Sequence, residues 1–233
     1  MSTVEPPKRE TLRPLVAGEH LDQPTFHERY EAMPPETRAE LVGGIVYMPS
    51  PLRSDHGDVS LLISGWVFYY MAFTPGLKGG DNTTTKLGRF GEPQPDCILY
   101  IPEELGGENI RIVDGYVTGA PELVVEVARS SRKFDLTEKK RDYERAGVPE
   151  YVVVGVDPND VYWFVLRDGH YVEHPPAPDG LFHSQSFPGL WLDPTALFDE
   201  DRPGLMAAVD RGVATAEHRE FFARLNARRQ GPQ

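Results

Sequence analysis

Residues 121–154 read PELVVEVARSSRKFDLTEKKRDYERAGVPEYVVV, and they decide the fold. Leu123 to Val127 (LVVEV) is a near-continuous apolar strand that carries one carboxylate, Glu126. From Asp135 to Gly147 the pattern is that of a helix. Asp135 stands where an N-cap belongs, Glu138 completes a reciprocal capping box, and Gly147 closes the C-terminus. Tyr151 to Val156 (YVVVGV) then reads as a fully buried strand, rich in β-branched residues. Apolar strands on either side of a charged helix predict a mixed α/β domain.

The flanking sequence extends this pattern. Thr25 to Met33 predicts a short helix capped by Thr25, with Glu28 three residues on and Pro34-Pro35 ending it. Glu40 to Met48 predicts a hairpin turning at Gly43-Gly44. Ser54 or Asp55 is placed to cap a helix to about Ala72, with Val59, Leu62, Ile63, Trp66, Val67, Tyr70 and Met71 at helical spacing. Strands are expected at Thr83–Leu87, Cys97–Ile101, Phe182–Phe187 and Leu190–Leu192. A hairpin of Val161–Leu166 and Tyr171–Glu173 is expected to turn at Asp168-Gly169. Gly204 to Arg229 predicts a tail helix with a break at Gly212.

Composition bounds the function. The chain has 233 residues, with 24 Lys+Arg against 36 Asp+Glu, for a formal net charge of -12. That balance excludes a protein coated in nucleic acid, which needs abundant Lys and Arg, but it allows a local basic site. The single cysteine, Cys97, rules out an internal disulfide framework and any multi-cysteine zinc site. The N-terminal residues carry no apolar core of the signal-peptide type. The most apolar run, Leu61 to Phe73, is shorter than the roughly 20 residues a bilayer requires. The expected location is cytoplasmic, with no membrane partner.

Two carboxylates stand out. Glu126 lies inside an apolar strand, and carboxylates are buried only when they are paired or hold a cation. Pro95-Asp96 opens the Cys97–Ile101 strand and sets Asp96 at its mouth. The third element is basic. Residues 129–145 hold seven basic residues, Lys133, Lys139, Lys140 and Arg141 among them, against four acidic ones. Lys139, Asp142 and Tyr143 are spaced to share a helix face. Two acids at strand ends hold Mg2+ well, because it takes oxygen ligands and keeps several waters. A lysine nearby orients the attacking water or stabilises developing charge. Acids, lysine and basic patch together are the skeleton of a metal-dependent nuclease.

The run 121–154 also resembles the core of the Uma-type restriction endonuclease family, a branch of the PD-(D/E)XK nuclease-like superfamily. Further matches are ELVGGIVYMPSP followed by His56-Gly57, then TPGLKGGDNTT, EPQPD and FPGLWLD, spanning roughly residues 25–200. The resemblance implies a restriction-endonuclease-like core, a central mixed sheet flanked by helices, followed here by a C-terminal β-extension and tail helix. It implies an N-terminal arm over 1–24, a nuclease domain over 25–200 and a helical tail over 201–233. Asp96 matches the PD aspartate and Glu126 the acid of the (D/E)XK strand, with the Val127 carbonyl completing the metal shell. The superfamily lysine two residues after the acid is Ala128 here; Lys139, on the following helix, matches the lysine position of this family. Glu40 and His56 match family positions as a further catalytic acid and an accessory residue. The implied cofactor is Mg2+, with Mn2+ as a substitute. The implied partner is nucleic acid, DNA foremost, bound through Lys133, Lys140 and Arg141; a homodimer is also envisaged. The competing reading is a nuclease-like fold that binds nucleic acid or protein, or dimerises, without cutting.

Overall fold

The computed structural model describes residues 12–49 and 54–229. Its helices are α1 (Gln23–Glu31), α2 (Ser54–Phe73), α3 (Arg132–Phe134), α4 (Lys140–Ala146), α5 (Pro194–Phe198), α6 (Arg202–Val213) and α7 (Ala216–Arg229). Its strands are β1 (Glu40–Val42), β2 (Ile45–Tyr47), β3 (Lys78–Asp81), β4 (Thr85–Lys86), β5 (Cys97–Tyr100), β6 (Ile110–Val113) and β7 (Tyr116–Gly119). They continue with β8 (Leu123–Ala128), β9 (Glu150–Val156), β10 (Asn159–Arg167), β11 (His170–Glu173), β12 (Phe182–His183) and β13 (Trp191–Leu192).

Six strands form the central sheet in the order β11-β10-β9-β8-β5-β3. β8 and β9 run parallel and the other neighbours antiparallel, so the sheet is mixed, as the family resemblance implies. The expected β-extension, β10 and β11, lengthens this same sheet.

Strand alternation sorts the side chains into two layers. Leu123, Val125 and Val127 of β8 join Cys97 and Leu99 of β5 on one face, where Ile63, Trp66, Val67 and Tyr70 of α2 and Leu205, Val209, Phe221 and Leu225 of the tail cover them. Cys97 is a free, buried thiol at the start of β5. Val124 and Ala128 face the other way with Ile98, Tyr100, Tyr143 and Tyr151. A third cluster, Leu15, Phe26, Ala39, Leu41 and Val46, ties the chain before α1 to the β1–β2 hairpin. Arg29 fixes that segment by donating to the Arg13 and Pro14 carbonyls and pairing with Glu19. Residues 1–11 of the expected arm and 230–233 lie outside the described residues. So do residues 50–53, immediately before α2, where Ser54 or Asp55 was expected to act as cap.

Several local expectations need correction. The cap of α1 is Asp22, whose carboxylate accepts the Thr25 N–H at 3.1 Å; Pro24 is tolerated in the first turn because its missing N–H has no partner there. Asp135 does not cap its helix. The helix begins at Arg132, and Asp135 opens a π-turn, Asp135–Lys139, inside it. The tail breaks one residue past the expected Gly212, after Val213, into two helices, with Thr215 accepting the His218 N–H ahead of the second. The hairpin of β6 and β7 was not anticipated, although Asp114-Gly115, both at positive φ, is the same turn signal as Asp168-Gly169.

Candidate active site

The register of β5 against β8 builds the site. Cys97 stands opposite Val125, so the next position outward brings Asp96 level with Glu126. Alternation puts both acids on the sheet face that α3, the π-turn and α4 cover. That face opens into a cleft of about 670 Å³.

Asp96 Oδ2 accepts the Val127 N–H at 2.7 Å and lies 3.6 Å from His56 Nε2. Glu126 is 3% exposed. Its Oε1 accepts from the Tyr143 hydroxyl at 2.7 Å and from Lys139 Nζ at 3.0 Å. Lys139 Nζ also reaches Glu40 Oε1 at 3.1 Å, and that oxygen accepts the Gln94 N–H at 2.7 Å. Asp135, 2% exposed, lines the same cleft.

The π-turn explains how one helix supplies this set. Widening by one residue lets the Lys140 N–H donate to the Asp135 carbonyl, five residues back. A π-turn has slightly more than four residues per turn. Residues four apart therefore stay nearly in line, and Asp135, Lys139 and Tyr143 all reach the cleft or Glu126.

The electrostatics follow from the inventory. Four carboxylates, Asp96, Glu126, Asp135 and Glu40, share the cleft with the Lys139 ammonium and the His56 imidazole, and the Arg38 and Arg129 guanidiniums line it as well. Burial pushes the Glu126 carboxyl well above the usual range; Lys139 pulls it back, while Asp96, Asp135 and Glu40 push it further. Asp135 is pushed up to about 6 by burial, against the pull of Lys139. For Lys139, burial acts to lower the pKa, but Glu126, Glu40 and Asp135 outweigh it and hold the ammonium charged. The His56 imidazole is raised by its contact with Asp96 against its own burial. Both partners of the Lys139–Glu126 pair shift upward, Glu126 because burial outweighs the pull of Lys139 and Lys139 because the carboxylates beside it outweigh its burial.

Clustered acids in so buried a place are the condition a divalent cation relieves. The donors are hard oxygens, suited to Mg2+ or Mn2+. Asp96 Oδ1 and Glu126 Oε2 accept no hydrogen bond from the described residues. Among the described residues, no three His, Cys, Asp or Glu side chains converge as a ready cation cage. Two acids and a main-chain carbonyl still fit an ion that keeps waters in its shell.

The structure thus brings together Asp96, Glu126, Val127, Lys139, Glu40 and His56. It does not bring Lys133, Lys140 or Arg141 to the cleft. Lys133 and Arg141 are exposed outside it, and Lys140 Nζ sits 3.7 Å from the centre of the Phe164 ring. The basic side chains at the cleft besides Lys139 are Arg38 and Arg129. Sequence reasoning missed Asp135, Arg38 and the bond from Tyr143 to Glu126. For Asp135 and Tyr143 a signal existed, since each lies four residues from Lys139.

A model of the Uma2 family, described as "Putative restriction endonuclease", matches residues 25–195. The chain belongs to the Uma2 family. A similar solved structure is that of a DUF820 protein from Anabaena variabilis ATCC 29413, described as a "putative nuclease". The match has a TM-score of 0.58 at 16% sequence identity and covers 74% of this chain and 96% of that one. It shows a shared fold, the helix-flanked mixed sheet. No curated protein matches the chain. No helix among the described residues of this Uma2 chain is long and apolar enough to cross a membrane.

Proposed function

We propose that this Uma2 protein is a divalent-metal-dependent endonuclease that hydrolyses phosphodiester bonds of nucleic acid, DNA foremost, in the cleft between Asp96 and Glu126. The observation that carries the reading is a buried ammonium held by Glu126 and Glu40 beside Asp96 and Asp135 where two strands meet, an acid cluster that a cation and a phosphate would complete.

Each residue has a role set by its contacts. Asp96, Glu126 and the Val127 carbonyl would hold Mg2+, with Mn2+ as a substitute. When bound, the cation polarises the phosphoryl oxygen and makes its water acidic. Lys139 stays protonated, so it acts as a donor that orients the water and stabilises developing negative charge, not as a base. Glu40 holds Lys139 in place at 3.1 Å. Tyr143 donates to Glu126 and fixes its rotamer. His56 faces Asp96 from the first turns of α2 and steadies it.

The test is Mn2+ calorimetry alongside single-turnover cleavage of single-stranded and duplex DNA and RNA. Asp96→Asn and Glu126→Gln each remove ligand charge at nearly constant shape. Each is expected to lose Mn2+ binding and cleavage while keeping the wild-type circular dichroism. Wild-type protein that takes up no Mn2+ would instead support the competing reading, a nuclease-like binding module. Variants that cut as fast as wild type would put the site elsewhere.

A further inference from the structure

The cleft has a second wall that phosphodiester chemistry does not use. Tyr47 ends β2, and the β1–β2 register sets it directly opposite Glu40. Directly paired residues project to the same side of a hairpin, with Cβ atoms about 5 Å apart. Val46 points the other way, into the cluster with Phe26 and Leu41, so Tyr47 is turned toward the cleft. Phe134 reaches the same place from the helical side, immediately before Asp135. The two rings lie 4.3 Å apart at an interplanar angle of 48°. Met48, 39% exposed, and Pro49 continue this apolar surface along the cleft.

Carboxylates and an ammonium therefore stand on one side and a half-exposed aromatic pair on the other, linked through the Glu40–Tyr47 pairing. We propose that the cleft receives an unpaired nucleotide, with its base stacked on Tyr47 and Phe134 and its backbone phosphate at Asp96 and Glu126, so that the substrate is single-stranded or locally unpaired nucleic acid. The inference rests on the nucleic-acid reading above and specifies its substrate class.

The physical argument is one of access. In a duplex both faces of a base are covered by its stack and its edge by its partner, so it has no face to offer an aromatic ring. An unpaired base has both faces open, and stacking on aromatic side chains is the common way proteins bind single strands without sequence preference. A cleft of about 670 Å³ falls in the range that encloses small molecules and suits a nucleotide or two, not the groove of a double helix. Arg38, exposed at the cleft two residues before Glu40, supplies a cation for a flanking phosphate. A phosphate group alone would leave the aromatic wall unused.

The experiment measures binding without turnover, using the full chain with Ca2+ in place of Mg2+. The probes are a fluorescein-labelled single strand and a hairpin duplex of the same composition. Wild type is expected to bind the single strand roughly tenfold or more tightly over the duplex. Tyr47→Ala and Phe134→Ala should each weaken single-strand binding by about tenfold, the scale of one lost stack. Tyr47→Phe and Phe134→Tyr should preserve it. Phe134→Leu keeps the apolar bulk but loses the π-face, so it should fall with Phe134→Ala, and the emission of a 2-aminopurine base in the strand should recover in both. Equal affinity for strand and duplex, wild-type binding by Phe134→Leu, or no binding to either probe overturns the proposal. Cleavage is not read here. A protein that grips single strands but never cuts refutes only the nuclease reading, and one that cuts duplex without this preference refutes only the present inference.

Discussion

Lys139 holds its ammonium 3.0 Å from Glu126 and 3.1 Å from Glu40, with almost no solvent around it. Removing one member of such a buried set leaves the others uncompensated, at a cost of about 3–5 kcal/mol. Lys139→Ala should therefore destabilise the metal-free protein by that order in urea unfolding. Turnover should fall by something like 10²-fold, the scale of one lost charge-stabilising donor. Mn2+ affinity should hold or rise, because the same carboxylates then lack a competing cation. Lys140→Ala is the control: its side chain lies over Phe164, so turnover should stay near the wild-type value. Equal turnover losses in the two variants would mean that the helix supplies only general positive charge. At this scale the sequence is legible wherever a residue contradicts its surroundings. Glu126 among valines and Asp96 after a proline at a strand mouth both declare themselves. Asp135 does not, since an aspartate at the head of a helical pattern looks like a cap, and only the π-turn carries it into the cleft.

Among the elements, the helix from Arg132 to Ala146 is anchored at its end by Gly147, at φ 82. A Cβ there would meet no atom within 4 Å, so Gly147→Ala should cost only the left-handed backbone penalty, about 1–2 kcal/mol. Gly119 in β7, at φ 109, differs because a Cβ would run into the Asn109 carbonyl. Gly119→Ala should cost more than Gly147→Ala by thermal unfolding, since the backbone of the β6–β7 hairpin must move as well. Comparable losses would show that the hairpin yields easily. Elements with their own signal were readable: the valine runs of β8 and β9, the 3.6-residue period of α2, the Asp-Gly turn before β11. β3 was not. Its sequence, KGGD, has no strand preference, and it is a strand only because β5 offers an edge to pair with. The split between α6 and α7 was blurred for the converse reason, as helical propensity runs through it and one threonine side chain makes the break.

Over the whole molecule, a chain of net charge -12 must bind a polyanion through a small part of its surface. The slope of log affinity against log salt measures how many phosphates that part neutralises. Arg38 opens onto the cleft, whereas Lys133 and Arg141 are exposed outside it. Arg38→Ala should lower the slope for a single strand by roughly one. Lys133→Ala with Arg141→Ala should lower it further only if the strand leaves the cleft along the helix, so the pair reports the exit path. An unchanged slope in all three variants would move the binding surface away from this face. A mixed α/β domain was accessible in advance because alternating strand and helix patterns constrain architecture strongly, while the helix-flanked mixed sheet was what the family resemblance implied. How the first described residues pack was not: Leu15 and Arg29 are ordinary in sequence and acquire their roles only from each other's neighbourhood.

Cys97 gives the protein a clock. Its thiol is 4% exposed and pushed up to about 12 by burial, so in the closed sheet it is neither reachable nor nucleophilic at neutral pH. It sits in β5, one residue after Asp96 and paired with the edge strand β3. A thiol reagent can therefore modify it only in the fraction of time that the α2 and tail layer over this part of the sheet opens. The rate of modification counts those openings beside the cleft with no label engineered into the chain. A ligand held between Asp96 and Glu126 that binds only the closed sheet slows the clock by the free energy with which it binds.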